Sequence, residues 1–88
     1  TEINNISISN PDGSHWQNIL NIRLKDLIIE WPHPDYISLR TKASGLAEGF
    51  IYLLNIKTKA LQKVLGGLNG LTGLWSPQGD KILFAYTN

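Results

Sequence analysis

The chain has 88 residues, with eight Lys and Arg against seven Asp and Glu, a formal charge of +1, and no cysteine. A chain this short is at most one small domain and buries only about 60 to 65% of its extended surface. The mixed signs give no basic footprint for nucleic acid, and the lack of thiols excludes a disulfide framework or a thiolate metal site. The longest apolar runs, Leu27-Ile28-Ile29 and Phe50 to Leu54, are far short of the ~20 residues of a membrane-spanning helix. There is no initiating Met and no basic-then-apolar opening segment, which points to a processed chain or an excerpt of something longer.

In chain order, Ile6-Ser7-Ile8-Ser9 has the period of two of a strand, and Asn10-Pro11-Asp12-Gly13-Ser14 supplies a turn. His15-Trp16-Gln17-Asn18-Ile19-Leu20 runs back as its partner, giving a first hairpin. Leu24 to Trp31 is a further apolar, β-branched segment. Pro32-His33-Pro34-Asp35 is expected to break it, and Tyr36-Ile37-Ser38-Leu39-Arg40 resumes an alternating strand. Residues 41 to 49 form the longest connection, with two glycines. Phe50 to Ile56 is the most hydrophobic strand candidate, and Lys57-Thr58-Lys59 is its polar turn. Ala60 to Leu65 has good helix formers but is too short to stand as a helix by itself, and Gly66-Gly67-Leu68-Asn69-Gly70 is expected to end it. In Leu74-Trp75-Ser76-Pro77-Gln78-Gly79-Asp80-Lys81-Ile82-Leu83-Phe84, Pro77 presets φ for a turn and Gly79 tolerates the positive φ that closes it, so residues 71 to 87 read as a last hairpin.

An internal repeat resolves the segment at Ala60. A shift of 45 residues places Ile6-Ser7-Ile8-Ser9-Asn10 on Ile51-Tyr52-Leu53-Leu54-Asn55 and Gln17-Asn18-Ile19-Leu20 on Gln62-Lys63-Val64-Leu65. Ala60 to Leu65 is then a strand like its counterpart. With one residue deleted from the earlier turn, Ile29 to Leu39 falls on Leu74 to Phe84, with Trp31 or its neighbour on Trp75 and Pro32 on Pro77. The expected fold is all-β, built of four-strand antiparallel units at the spacing of β-propeller blades.

Trp75-Ser76-Pro77-Gln78-Gly79-Asp80-Lys81-Ile82-Leu83-Phe84 resembles the Trp-Ser-Pro-Asp-Gly-Lys-Lys-Ile-Leu-Phe core of the TolB-like, or WD-like, propeller repeat. Phe50 to Leu65 is similar to the third and fourth strands of such a blade. The first copy departs from the pattern, with Pro32-His33-Pro34-Asp35 in place of Pro-Asp-Gly. The resemblance implies strands C and D at residues 5–20, a full blade A to D at 24–65, and strands A and B at 71–87. The A and B strands of one chain would then pair with the C and D strands of the next, so the expected partner is a second copy, with six blades from three chains or eight from four. It also implies an extracytoplasmic or periplasmic setting, and no shared catalytic residues.

The residues agree that the chain is not an enzyme. His15 and His33 have no ligand spacing, Ser44 and Ser76 lie in no nucleophile elbow, and Gly66 to Gly70 lacks the Lys-Ser/Thr end of a phosphate loop. No cofactor or metal is expected. Asn10, Asp12 and Ser14 alternate as in a calcium loop, but the glycine is misplaced and the bidentate Glu is missing, so a turn accounts for them. Trp16, Trp31 and Trp75 are expected to pack between neighbouring sheets. A binding face for a protein or peptide is expected at the polar, glycine-bearing connections 41–49 and 66–70, with Ser44, Glu48 and Asn69 its candidate residues. Two functions fit: a non-enzymatic scaffold or protein-binding module assembled from repeated blades, and an excised piece of a propeller that gates or accompanies a hydrolase or peptidase.

Overall fold

In the computed structural model, described for residues 3–24, 26–41 and 48–87, the first hairpin joins β1 (Asn4–Ile8) to β2 (Gln17–Ile22). Its turn is held by Asp12, whose Oδ1 accepts from the Ser14 N–H at 2.9 Å and the Ser14 hydroxyl at 2.6 Å. Gly13 takes φ 86°, where a side chain would be strained. Next come β3 (Leu27–His33), β4 (Tyr36–Thr41), β5 (Glu48–Asn55) and β6 (Leu61–Asn69), which pair in that order into one antiparallel sheet. β7 (Thr72–Trp75) and β8 (Ile82–Ala85) form a final antiparallel pair. Strands take 63% of the described residues and none of these is helical, so the chain is all-β.

The ladders repeat along the chain. Ile6 pairs with Leu20 and Ser7 with Asn18, so Ile19 is the extra residue of a bulge. Ile51 pairs with Leu65 and Tyr52 with Lys63, which leaves Val64 as the extra residue of the second. The two bulges are 45 residues apart. The copies diverge at one end, where Asn4 pairs with Ile22 but Gly49 pairs with Leu68, because Gly67 (φ 71°) forms an additional bulge.

Two elements differ from the sequence reading. Gly66 and Gly67 do not end the strand at Ala60; β6 runs through them to Asn69. The Phe50 ring lies against Gly66, where an added Cβ would stand 2.8 Å from the ring. Pro32 likewise lies inside β3, which runs on to His33. β3 is an edge strand and its pairing with β4 is interrupted between Glu30 and His33, so the missing N–H of Pro32 breaks no ladder bond.

The core lies on both sides of the four-stranded sheet. On one face, Ile37, Leu39 and Leu54 are buried against Ile6 and Ile19 of the β1–β2 pair. Alternation turns Ser38, Ile51 and Gly49 to the other face, where Ser38 and Ile51 are buried. There Leu71 closes on Gly49, whose added Cβ would stand 2.9 Å from the Leu71 Cβ. The β7–β8 turn abuts the end of β3, since a Cβ on Gly79 would collide with the Pro32 carbonyl. That turn is closed by the Ser76 N–H donating to Lys81 O at 2.9 Å and the Ser76 hydroxyl donating to Asp80 Oδ1 at 2.8 Å.

Candidate functional site

Of the candidate binding-face residues, Glu48 and Asn69 are brought together. Glu48 is the first residue of β5 rather than part of the connection before it, and it stands opposite Asn69 at the end of the β5–β6 ladder. Both are exposed, and the Asn69 carbonyl accepts the Thr87 N–H at 2.8 Å. Ser44 lies outside the described residues. The geometry offers a carboxylate opposite an amide across the ladder, a pair suited to hydrogen bonding. No group of three or more metal-ligating side chains occurs among the described residues.

Charge elsewhere is local. The Arg40 Nε–H donates to Glu30 Oε1 at 2.7 Å in a half-buried pair on the face that carries Ser38. Lys57 with Asp35 at 3.8 Å and Lys81 with Asp80 at 3.6 Å are exposed pairs, a type that contributes little to stability. The Asp12 carboxyl is held below the ordinary carboxylate range by its hydrogen bonds from the Ser14 hydroxyl and N–H. His15 joins the same turn, its Nδ1 lying 3.0 Å from Asn10 Nδ2.

Apolar surface is the more distinctive feature. Trp16 and Trp31 are exposed rather than packed between sheets, while Trp75 is half-buried. A cleft of about 380 Å³ runs between β1 and β3, walled by Ile6, Ile8, Ile29, Trp31 and Ile37. At the other end of the chain Leu74 and Leu83, opposite each other on β7 and β8, are both exposed. The outer edge of β1 and that of β8 are unpaired among the described residues, since β1 pairs only with β2 and β8 only with β7. An unpaired edge beside an apolar cleft is suited to receiving an antiparallel strand.

The sequence reading singles out Glu48 and Asn69 as candidates and does not single out the apolar surfaces at Leu74, Leu83 and the β1–β3 cleft. Leu74, Ile82, Leu83 and Phe84 read as residues of a half-buried pleated surface, and no local signal tells whether a neighbouring sheet covers the apolar face. No protein family, curated protein or solved structure matches the chain.

Proposed function

We propose that this chain is a non-enzymatic β-propeller scaffold of the TolB-like or WD-like kind, assembled from copies of itself. One observation carries the reading: a four-stranded antiparallel sheet lies between two two-stranded pairs in chain order, and one edge of each pair, β8 at the end and β1 at the start, is free among the described residues. The 45-residue recurrence of the Ile19 and Val64 bulges supports treating β1–β2 as the counterpart of β5–β6. If β8 of one copy pairs with β1 of the next, the two pairs combine into a second four-stranded sheet and the β1 and β8 edges are covered. The contact is head-to-tail and forms a ring when the rotation closes, with six blades from three chains or eight from four.

In such an assembly the end of the sheet bearing Glu48 and Asn69, with Ser44 in the preceding connection, is the face on which a protein or peptide would be held. Light scattering coupled to size exclusion tests the reading. A species of three or four chains whose mass holds over a wide concentration range is expected. A cooperatively unfolding monomer, or mass that grows continuously with concentration, overturns it.

A further inference from the structure

The two bare apolar surfaces at the ends of the chain correspond to places that are covered in its middle. β4 maps onto β8 by a shift of 45 residues and β3 onto β7 by 44, because Ile29 pairs with Leu39 just as Gly73 pairs with Phe84. Under this mapping the pair Glu30–Ser38 corresponds to Leu74–Leu83, and Trp31 corresponds to Trp75. Ser38 is 0% exposed, on the face against which Leu71, just before β7, lies. Its counterpart Leu83 is 70% exposed and Leu74 is 57% exposed, with no described sheet beyond them. The reverse holds for the tryptophans: Trp75 is half-buried, whereas Trp31 is 58% exposed over the cleft where the β1–β2 pair stops after two strands. A contact formed once inside the chain thus has its two faces displayed, uncovered, at opposite ends.

Resting on the ring-forming reading above, we infer that the cleft at Trp31 is filled by the Leu74–Leu83 face of a second copy's β7–β8 hairpin, whose β8 pairs antiparallel with β1. The four-stranded sheet supplies the register. There Ser38 stands opposite Leu53 and Leu39 opposite Tyr52. Moving β4 forward and β5 back by 45 residues puts Leu83 of the second copy opposite Ile8, and its Phe84 opposite Ser7. Ile8 already lines the cleft beside Ile29 and Trp31, so this register directs Leu83 and its neighbour Leu74 into that space. A second copy is the occupant because one hairpin supplies both requirements, an apolar pair for the cleft and a strand edge for β1, and because the same interface continues one already formed inside the chain.

The absence of native cysteine makes the register directly measurable. Two single variants, Ser7→Cys and Phe84→Cys, are mixed and mildly oxidised, alongside an off-register mixture of Asn5→Cys with Ile82→Cys. Residues directly opposite on paired strands lie within disulfide reach, while the off-register pair would be separated by four residues along the strand. A covalent dimer from the first mixture and none from the second is expected. In parallel, Leu83→Lys, at a position already facing solvent in the single chain, should raise the concentration needed for assembly by roughly tenfold or more while leaving the circular dichroism of the chain unchanged. An oligomer that links Asn5→Cys to Ile82→Cys, or that is indifferent to Leu83→Lys, overturns this docking and leaves self-assembly standing. A monomer that links in neither mixture overturns both.

Discussion

Ile19 in β2 and Val64 in β6 are each the unpaired residue of a β-bulge, one 45 residues after the other, yet Ile19 is buried in the core and Val64 is only half-buried. The same backbone device therefore carries different packing. Ile19→Ala removes a side chain clustered with Ile6, Ile37, Leu39 and Leu54 and should lower unfolding free energy by about 2 to 4 kcal/mol. Val64→Ala should lower it by less, about 1 kcal/mol, since much of the valine already meets water. Urea unfolding of the two variants under matched assembly conditions checks the order. Equal losses would mean that the β1–β2 pair is not packed on the four-stranded sheet.

Gly79 combines two constraints. Its φ of 72° lies in the left-handed region, and a Cβ there would collide with the Pro32 carbonyl. Gly79→Ala should therefore destabilise by about 1 to 3 kcal/mol. Gly13→Ala shares the positive φ but meets nothing within 4 Å, so its loss should be the smaller. Chemical denaturation of both variants separates backbone strain from collision.

The Ser38 hydroxyl and the Trp75 indole N–H are buried with no hydrogen-bond partner among the described residues. A buried polar group without a partner costs stability, so removing it can be favourable. Ser38→Ala is expected to leave stability unchanged or raise it by up to about 1 kcal/mol. Leu39→Ala, next in sequence and turned to the opposite core, should cost about 2 to 5 kcal/mol. The pair of melting curves reads both faces of β4.

Asp12 gives the turn at residues 10–14 a defined response to acid. Its carboxyl is held below the ordinary range by the Ser14 hydroxyl and N–H, so the charged form is favoured in the folded chain. That contribution is fully present above the unfolded-state value of about 3.9 and is lost as pH falls through the lower folded value. Amide exchange at Gly13 and Ser14 should therefore quicken, relative to the rest of the chain, on titration below about pH 4. Asp12→Asn should flatten that response while leaving the Gly13 N–H bond to Asn10 O, 2.9 Å, in place.

Much of the strand order was legible in the sequence because turn chemistry is local. Asn10 to Ser14, and Ser76-Pro77-Gln78-Gly79-Asp80, name their turns through side chains that bond to nearby backbone, Asp12 to the Ser14 N–H and Ser76 to the Lys81 N–H. Glycine and proline misled where their context is not local. Gly66 and Gly67 read as an end, but one makes room for the Phe50 ring and the other forms a bulge, both properties of the paired strand β5. Pro32 reads as a break, but an edge strand tolerates it where the ladder is already interrupted. Glu48 and Asn69 read as parts of connections although they face each other as the last pair at one end of a ladder, because strand limits near glycine depend on the partner strand. The exposure of Trp31 and Leu83 is illegible for a related reason: it is set by which sheet lies alongside, and the residues themselves say only that the strand suits a half-buried surface.

Pairing of β8 with β1 between copies is the central claim, and hydrogen–deuterium exchange followed by mass spectrometry across a concentration series tests it most directly. Peptides covering Asn4–Ile8 and Ile82–Ala85 should gain protection together as the assembly forms, while those of β4 and β5, already paired on both edges, should change little. An assembled species in which the β1 and β8 amides exchange as fast as in the dilute chain would contradict it.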